Sequence, residues 1–189
     1  MPSCNVSAMD RTRRIDGCLR CNDAALSVGP RGESSTDPKT GETVAGVNER
    51  MALLVSDLEK RKEKIIVPTP ALSELLVRAG TAGPEYLDIL GKSAAFKIVD
   101  FDQRAAVEVA AAIREALDGG DKKAGSLGTW AKVKFDRQIL AIAKVEGASV
   151  IYSDDGDIAR FAKNSGIQVI PIRDLPLPPE DPQKSLPLD

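Results

Sequence analysis

From Glu49 to Lys62, Met51, Leu54, Val55 and Leu58 recur at three- and four-residue steps with charged residues between them. That spacing predicts a helix with one buried face. Ile65-Ile66-Val67 is short, apolar and β-branched, which suits a buried parallel strand. Thr69-Pro70 opens a second helix, with Thr69 as N-cap and Pro70 at its first position. Its apolar stripe is Leu72, Leu75, Leu76 and Ala79, and Gly80 ends it. The same reading places a helix at Glu85–Leu90 and a strand at Phe96–Val99. Asp102 caps a long alanine-rich helix through Leu117, ended by Gly119-Gly120. Residues 119–131 read as a loop carrying Gly125, Gly128 and Trp130. A helix over Phe135–Val145, a strand over Ser149–Tyr152, a helix over Ile158–Asn164 and a strand over Ile167–Ile170 complete the pattern. Strands that alternate with helices predict an α/β fold of three layers, α/β/α, with a central parallel sheet.

The ends of the chain read differently. Residues 1–14 are polar and basic, a flexible N-terminus, and the domain is expected over 15–175. Gly29-Pro30, Asp37-Pro38 and Gly41 mark a surface loop. From 176 to 189 prolines recur, predicting an extended tail. No run reaches the ~18 apolar residues of a membrane helix, and no apolar stretch of a signal peptide opens the chain. The expectation is a soluble, cytoplasmic protein with no membrane association.

Composition then narrows the chemistry. There is no histidine among the 189 residues, which removes His-ligated zinc, His general bases and Ser-His-Asp triads together. Aromatics make up 4%, too few to favour base recognition on stacking platforms. The net charge of −2 carries no global nucleic-acid signature, so any such contact needs a local basic stripe. Cys18 and Cys21 form a C-x-x-C, but Cys4 is the only other cysteine, so no zinc set is completed.

Sites in open α/β sheets form beyond the carboxyl ends of the strands. Glu74 lies in the helix after strand 65–67, Asp136 near the start of its helix, and Asp155 and Asp157 directly after strand 149–152. Converged carboxylates repel one another, and a divalent cation removes that penalty. Hard oxygen ligands suit Mg²⁺ or Mn²⁺, and such an ion needs no histidine. Each acid also has an ordinary structural use: Asp136 and Asp157 as caps near helix N-termini, Glu74 as a solvated surface residue.

The joint pattern resembles the PIN domain family. Val67-Pro68-Thr69-Pro70-Ala71-Leu72-Ser73-Glu74-Leu75-Leu76 is similar to the family's glutamate motif. Phe135-Asp136-Arg137-Gln138-Ile139-Leu140-Ala141 resembles its helix-opening aspartate. Ile151-Tyr152-Ser153-Asp154-Asp155-Gly156-Asp157 resembles its Thr-x-Asp-x-Asp turn, with Ser153 in the Thr position, Asp155 as the matching ligand and Asp157 as the accessory acid. The match covers about residues 65–175. The family's first element, an apolar strand followed by an aspartate, has two candidates here. Asp23 follows Cys18-Leu19-Arg20-Cys21-Asn22, the better strand; Asp16 follows Arg13-Arg14-Ile15.

The resemblance implies a Mg²⁺- or Mn²⁺-dependent endoribonuclease. Glu74, Asp136, Asp155 and Asp23 would be its catalytic acids, with Asp157 and Asp16 as further metal candidates. Lys132, Lys134 and Arg137 flank Asp136 and are candidate RNA-phosphate contacts. The resemblance also implies the toxin half of a toxin–antitoxin pair, with a small antitoxin or a second copy of the chain as partner. The alternative is a catalytically impaired PIN-like module that binds RNA or a protein. A phosphatase of the haloacid dehalogenase type would show Asp-x-Asp directly after its first strand, which this chain lacks.

Overall fold

A computed structural model describes residues 18–21, 41 and 43–179. Among these residues, five short strands form one parallel sheet in the order β3-β2-β1-β4-β5, with β1 Cys18–Cys21, β2 Lys64–Pro68, β3 Phe96–Val99, β4 Val150–Tyr152 and β5 Gln168–Ile170. Among the described residues, six helices surround it: α1 Val47–Lys60, α2 Thr69–Ala79, α3 Gly83–Lys92, α4 Gln103–Asp118, α5 Trp130–Val145 and α6 Gly156–Ala162. The expected three-layer architecture is present.

Side-chain alternation along the strands sets the layers. On one face, Ile65 of β2 and Tyr152 of β4 join Val47, Met51, Leu54 and Leu58 of α1. On the other, Ile66 packs against Ala105 of α4 and Ala141 and Ile142 of α5, while Ile151 meets Ile139, Ala143 and Ile158. The central position of β1 rests on backbone pairing: Leu19 lies opposite Ile65 on one side and Val150 on the other. Its carboxyl end therefore lies beside that of β4, and β1 falls on the better of the two strands proposed from sequence.

Two local readings change. Thr69 does not cap α2; its Oγ1 accepts a hydrogen bond from the backbone N–H of Phe101 at 3.1 Å. The hydroxyl thus ties the start of α2 to the connection between β3 and α4. Helix α5 begins at Trp130 rather than Phe135, with Thr129 Oγ1 accepting from Lys132 N at 3.2 Å. Capping satisfies an N–H that the first helical turn leaves open. The extra turn makes Lys132 and Lys134 helical, where the sequence pattern opens the helix only at Phe135.

The segment after β5 is anchored as far as Leu177. Arg50 of α1 donates to the backbone carbonyl of Leu175. Gly46 sits at φ 67°, where a Cβ would also collide with Leu177. Residues 1–17 and 180–189 lie outside the described part of the chain, as do most of 22–42. Among the described residues, no helix is long and apolar enough to cross a membrane.

Ile142 is 1% exposed at the contact of α5 with the sheet. Deleting its branched side chain leaves a cavity beneath the helix that carries Asp136. Ile142→Ala is expected to cost about 3 kcal/mol in urea unfolding. A cost below about 1 kcal/mol would contradict this packing.

Candidate metal centre

Two elements bring carboxylates together at the carboxyl edge of the sheet. Helix α5 carries Asp136 on its second turn, and the turn after β4 carries Asp155 and Asp157. One oxygen from each of the three lies within 4.8 Å of the others. Asp136 is 6% exposed, so it loses most of its hydration.

The turn after β4 is held by its own polar groups. Ser153 Oγ accepts from Asp155 N at 3.1 Å, and Asp155 Oδ1 accepts from Asp157 N at 2.8 Å, capping α6. Asp154 faces a different task, accepting from Ile172 N at 2.8 Å. This explains how adjacent acids divide: Asp154 fixes the chain beyond β5, while Asp155 and Asp157 join the cluster.

Lys132 answers the negative charge. Its Nζ donates to Asp136 Oδ2 at 2.7 Å and to Asp155 Oδ2 at 2.7 Å, and stands 3.5 Å from Asp157 Oδ2. The 132–136 spacing is i,i+4, which puts both side chains on one side of α5. Asp157 has further partners: Ser126 Oγ donates to its Oδ2 at 2.6 Å, and Arg160 pairs with its Oδ1. The 121–129 loop is thereby fixed against the site. Asp121 accepts from the N–H groups of Lys123 and Gly125, and Ser126 Oγ also accepts from Gly128 N. A Cβ on Gly128 would come within 3.2 Å of Ser126 Oγ and of the Lys132 side chain, so the close approach favours glycine.

These contacts set the acidities. Burial raises the Asp136 pKa to about 6; the Lys132 hydrogen bond opposes this and the Asp155 charge adds to it. For Asp157, burial is outweighed by the Ser126 hydrogen bond and by Lys132 and Arg160, so its carboxyl titrates below the usual range. Burial works against the Lys132 charge, but its bonds to Asp136 and Asp155 win and hold the ammonium protonated.

The other expected residues are placed as follows. Glu74 is exposed on α2 and is not part of the three-carboxylate group. Ala71, one turn earlier on α2, packs with Ile139 and Ala143 of α5. Lys134 is exposed on α5. Arg137 is buried, with Nη2 donating to Lys122 O at 3.4 Å and its guanidinium 5.2 Å from the Phe161 ring centre. Trp130 is half-buried, with Lys122 Nζ 5.5 Å from its ring centre, a loop-packing role. Asp23 and Asp16 lie outside the described residues. Sequence reading missed Ser126 and Arg160, which nothing in a Ser-Leu-Gly loop or a surface helix singles out.

The donor set suits a hard divalent cation. Three carboxylates converge, one deeply buried, and a positive group already stands among them. Without metal, ionised Asp136 costs stability. A raised folded-state pKa contributes stability that is complete below about 3.8 and lost as pH rises through about 6. In the presence of chelator, the stability of wild type relative to Asp136→Asn should therefore fall by about 2 kcal/mol between pH 4 and 7. A flat or rising difference in denaturant titrations would contradict the burial of an ionisable Asp136.

No curated protein sequence matches the chain. Among solved structures, VapBC2 from Rickettsia felis, bound to a DNA fragment from their promoter, superposes with a TM-score of 0.55 at 13% identity. That match covers 82% of this chain and 98% of the other. DNA-bound VapBC from Salmonella typhimurium gives a TM-score of 0.48 at 17% identity over 82% of this chain and 98% of its own. The family model described as PIN domain matches residues 47–164, which include both segments that build the carboxylate cluster. The chain belongs to the PIN domain family.

Proposed function

We propose that this PIN domain is a metal-dependent endoribonuclease, a hydrolase of RNA phosphodiester bonds. The observation that carries the reading is the convergence of Asp136, Asp155 and Asp157 within 4.8 Å at the carboxyl edge of a parallel sheet. Mg²⁺ or Mn²⁺ held there would supply an activated water and neutralise charge on the attacked phosphate. Asp136 and Asp155 are the first ligands on this reading, and Asp157, held by Ser126 and Arg160, shapes the rim. Glu74, exposed on α2 and outside the three-carboxylate group, and Asp23 are the further acids of this reading. Asp23 is preferred to Asp16 because it follows the carboxyl end of β1, where parallel-sheet sites form.

Exposed Lys134 and the half-exposed Lys132 side chain are the phosphate contacts of this reading. Arg137, stacked on Phe161, serves the packing of α5 against α6. A small antitoxin is the proposed protein partner, and the chain is the toxin of such a pair. The shared fold with one component of a VapBC assembly supports that partner class.

One observation favours a second reading. Lys132 satisfies the carboxylates without any metal, as a non-catalytic RNA- or protein-binding module would require. Cleavage of single-stranded RNA separates the two. The wild type is expected to cut with Mg²⁺ or Mn²⁺ and not with EDTA, and Asp136→Asn to lose at least about 100-fold in rate. Equal, metal-independent cleavage by both proteins, or none by either, would sink the nuclease reading.

A further inference from the structure

Lys132 reaches the carboxylates unevenly. Its Nζ is 2.7 Å from Asp136 Oδ2 and from Asp155 Oδ2, but 3.5 Å from Asp157 Oδ2. Asp157 depends on it less, since Ser126 and Arg160 also hold its two oxygens. The ammonium is therefore wedged between Asp136 and Asp155. Those are the two acids the metal-centre reading assigns as first ligands, and the inference rests on that reading.

A small divalent cation needs the same oxygens at closer range, about 2.1 Å. Ammonium and dication would then share one wedge as like charges in direct contact, against the buried Asp136 carboxylate, where repulsion is strong. One must leave. Lys132 can, because its side chain is 43% exposed, it stands on the first turn of α5, and its four-carbon stem has many rotamers.

We infer that Lys132 is a built-in counter-ion that exchanges with the divalent cation at Asp136 and Asp155, and so sets how tightly the site takes its metal. The exchange has a direction. Without metal, the lysine keeps the carboxylates close together despite their repulsion. With metal, the freed ammonium stands at the mouth of the site, on the side open to solvent. Lys134, two residues on, projects from a different side of α5 and takes no part.

Mn²⁺ alone, titrated into the full chain and followed by electron paramagnetic resonance, tests this without any turnover. Lys132→Met should bind Mn²⁺ about tenfold more tightly than wild type, and Asp136→Asn should bind it far more weakly. Equal or weaker binding by Lys132→Met, with Asp136→Asn still impaired, would overturn the exchange and leave the metal centre standing. Binding that Asp136→Asn leaves unchanged, or no binding by wild type and Lys132→Met alike, would overturn the metal centre and the exchange together. Reductive methylation of the unmutated protein gives a readout that needs no variant to fold. Mg²⁺ should speed labelling of Lys132 several-fold relative to Lys134, and an unchanged ratio would overturn the proposal.

Discussion

Mutual repulsion among Asp136, Asp155 and Asp157 is the constraint on which the site depends. Three carboxylates within 4.8 Å do not stay together unless something positive or strongly hydrogen-bonding holds them. The chain supplies Lys132 between two of them, and Ser126 with Arg160 on the third. Burial first, and the neighbouring Asp155 charge after it, keep the Asp136 pKa raised in spite of the Lys132 bond. A cluster held at such cost, at the edge where α/β sheets place their chemistry, is better suited to gathering a cation than to stabilising the fold.

The scaffold makes the convergence reproducible. Ile66 and Ile142 lock α5 onto one face of the sheet, so the turn carrying Asp136 sits at a defined height. Ile151 and Ile158 clamp β4 and α6 around the turn between them, and Ser153 and Asp155 order its backbone. The 121–129 loop closes the third side through Ser126. These elements come from distant stretches of chain, and the sheet order places them together: β1 and β4 are neighbours although most of the domain separates them in sequence.

Much of this was legible in the residues. Apolar periodicity marked the strands and helices because burial on two faces leaves a plain pattern, as in Ile65-Ile66-Val67 and the Met51–Leu58 stripe. Asp136, Asp155 and Asp157 were legible because each sits at a position that parallel-sheet topology carries to one edge. The first turn of α5 was harder. Its N-cap, Thr129, follows a glycine-rich loop, and Trp130 through Lys134 has little apolar stripe. With that turn hidden, the i,i+4 relation of Lys132 to Asp136 was hidden too, and the lysine read as a loop cation. Arg137 was also ambiguous, because sequence cannot tell a guanidinium facing phosphate from one stacked on Phe161. Ser126 acts through a contact 31 residues away, which no local pattern announces.

On the proposed reading, Lys132 stands where a divalent cation would bind Asp136 and Asp155. An anomalous difference map from a crystal soaked in Mn²⁺ tests it most directly. The expected result is a peak at coordination distance from Asp136 and Asp155, with the Lys132 side chain moved off both. A map with no peak there, and Lys132 still bridging the two carboxylates, would contradict it.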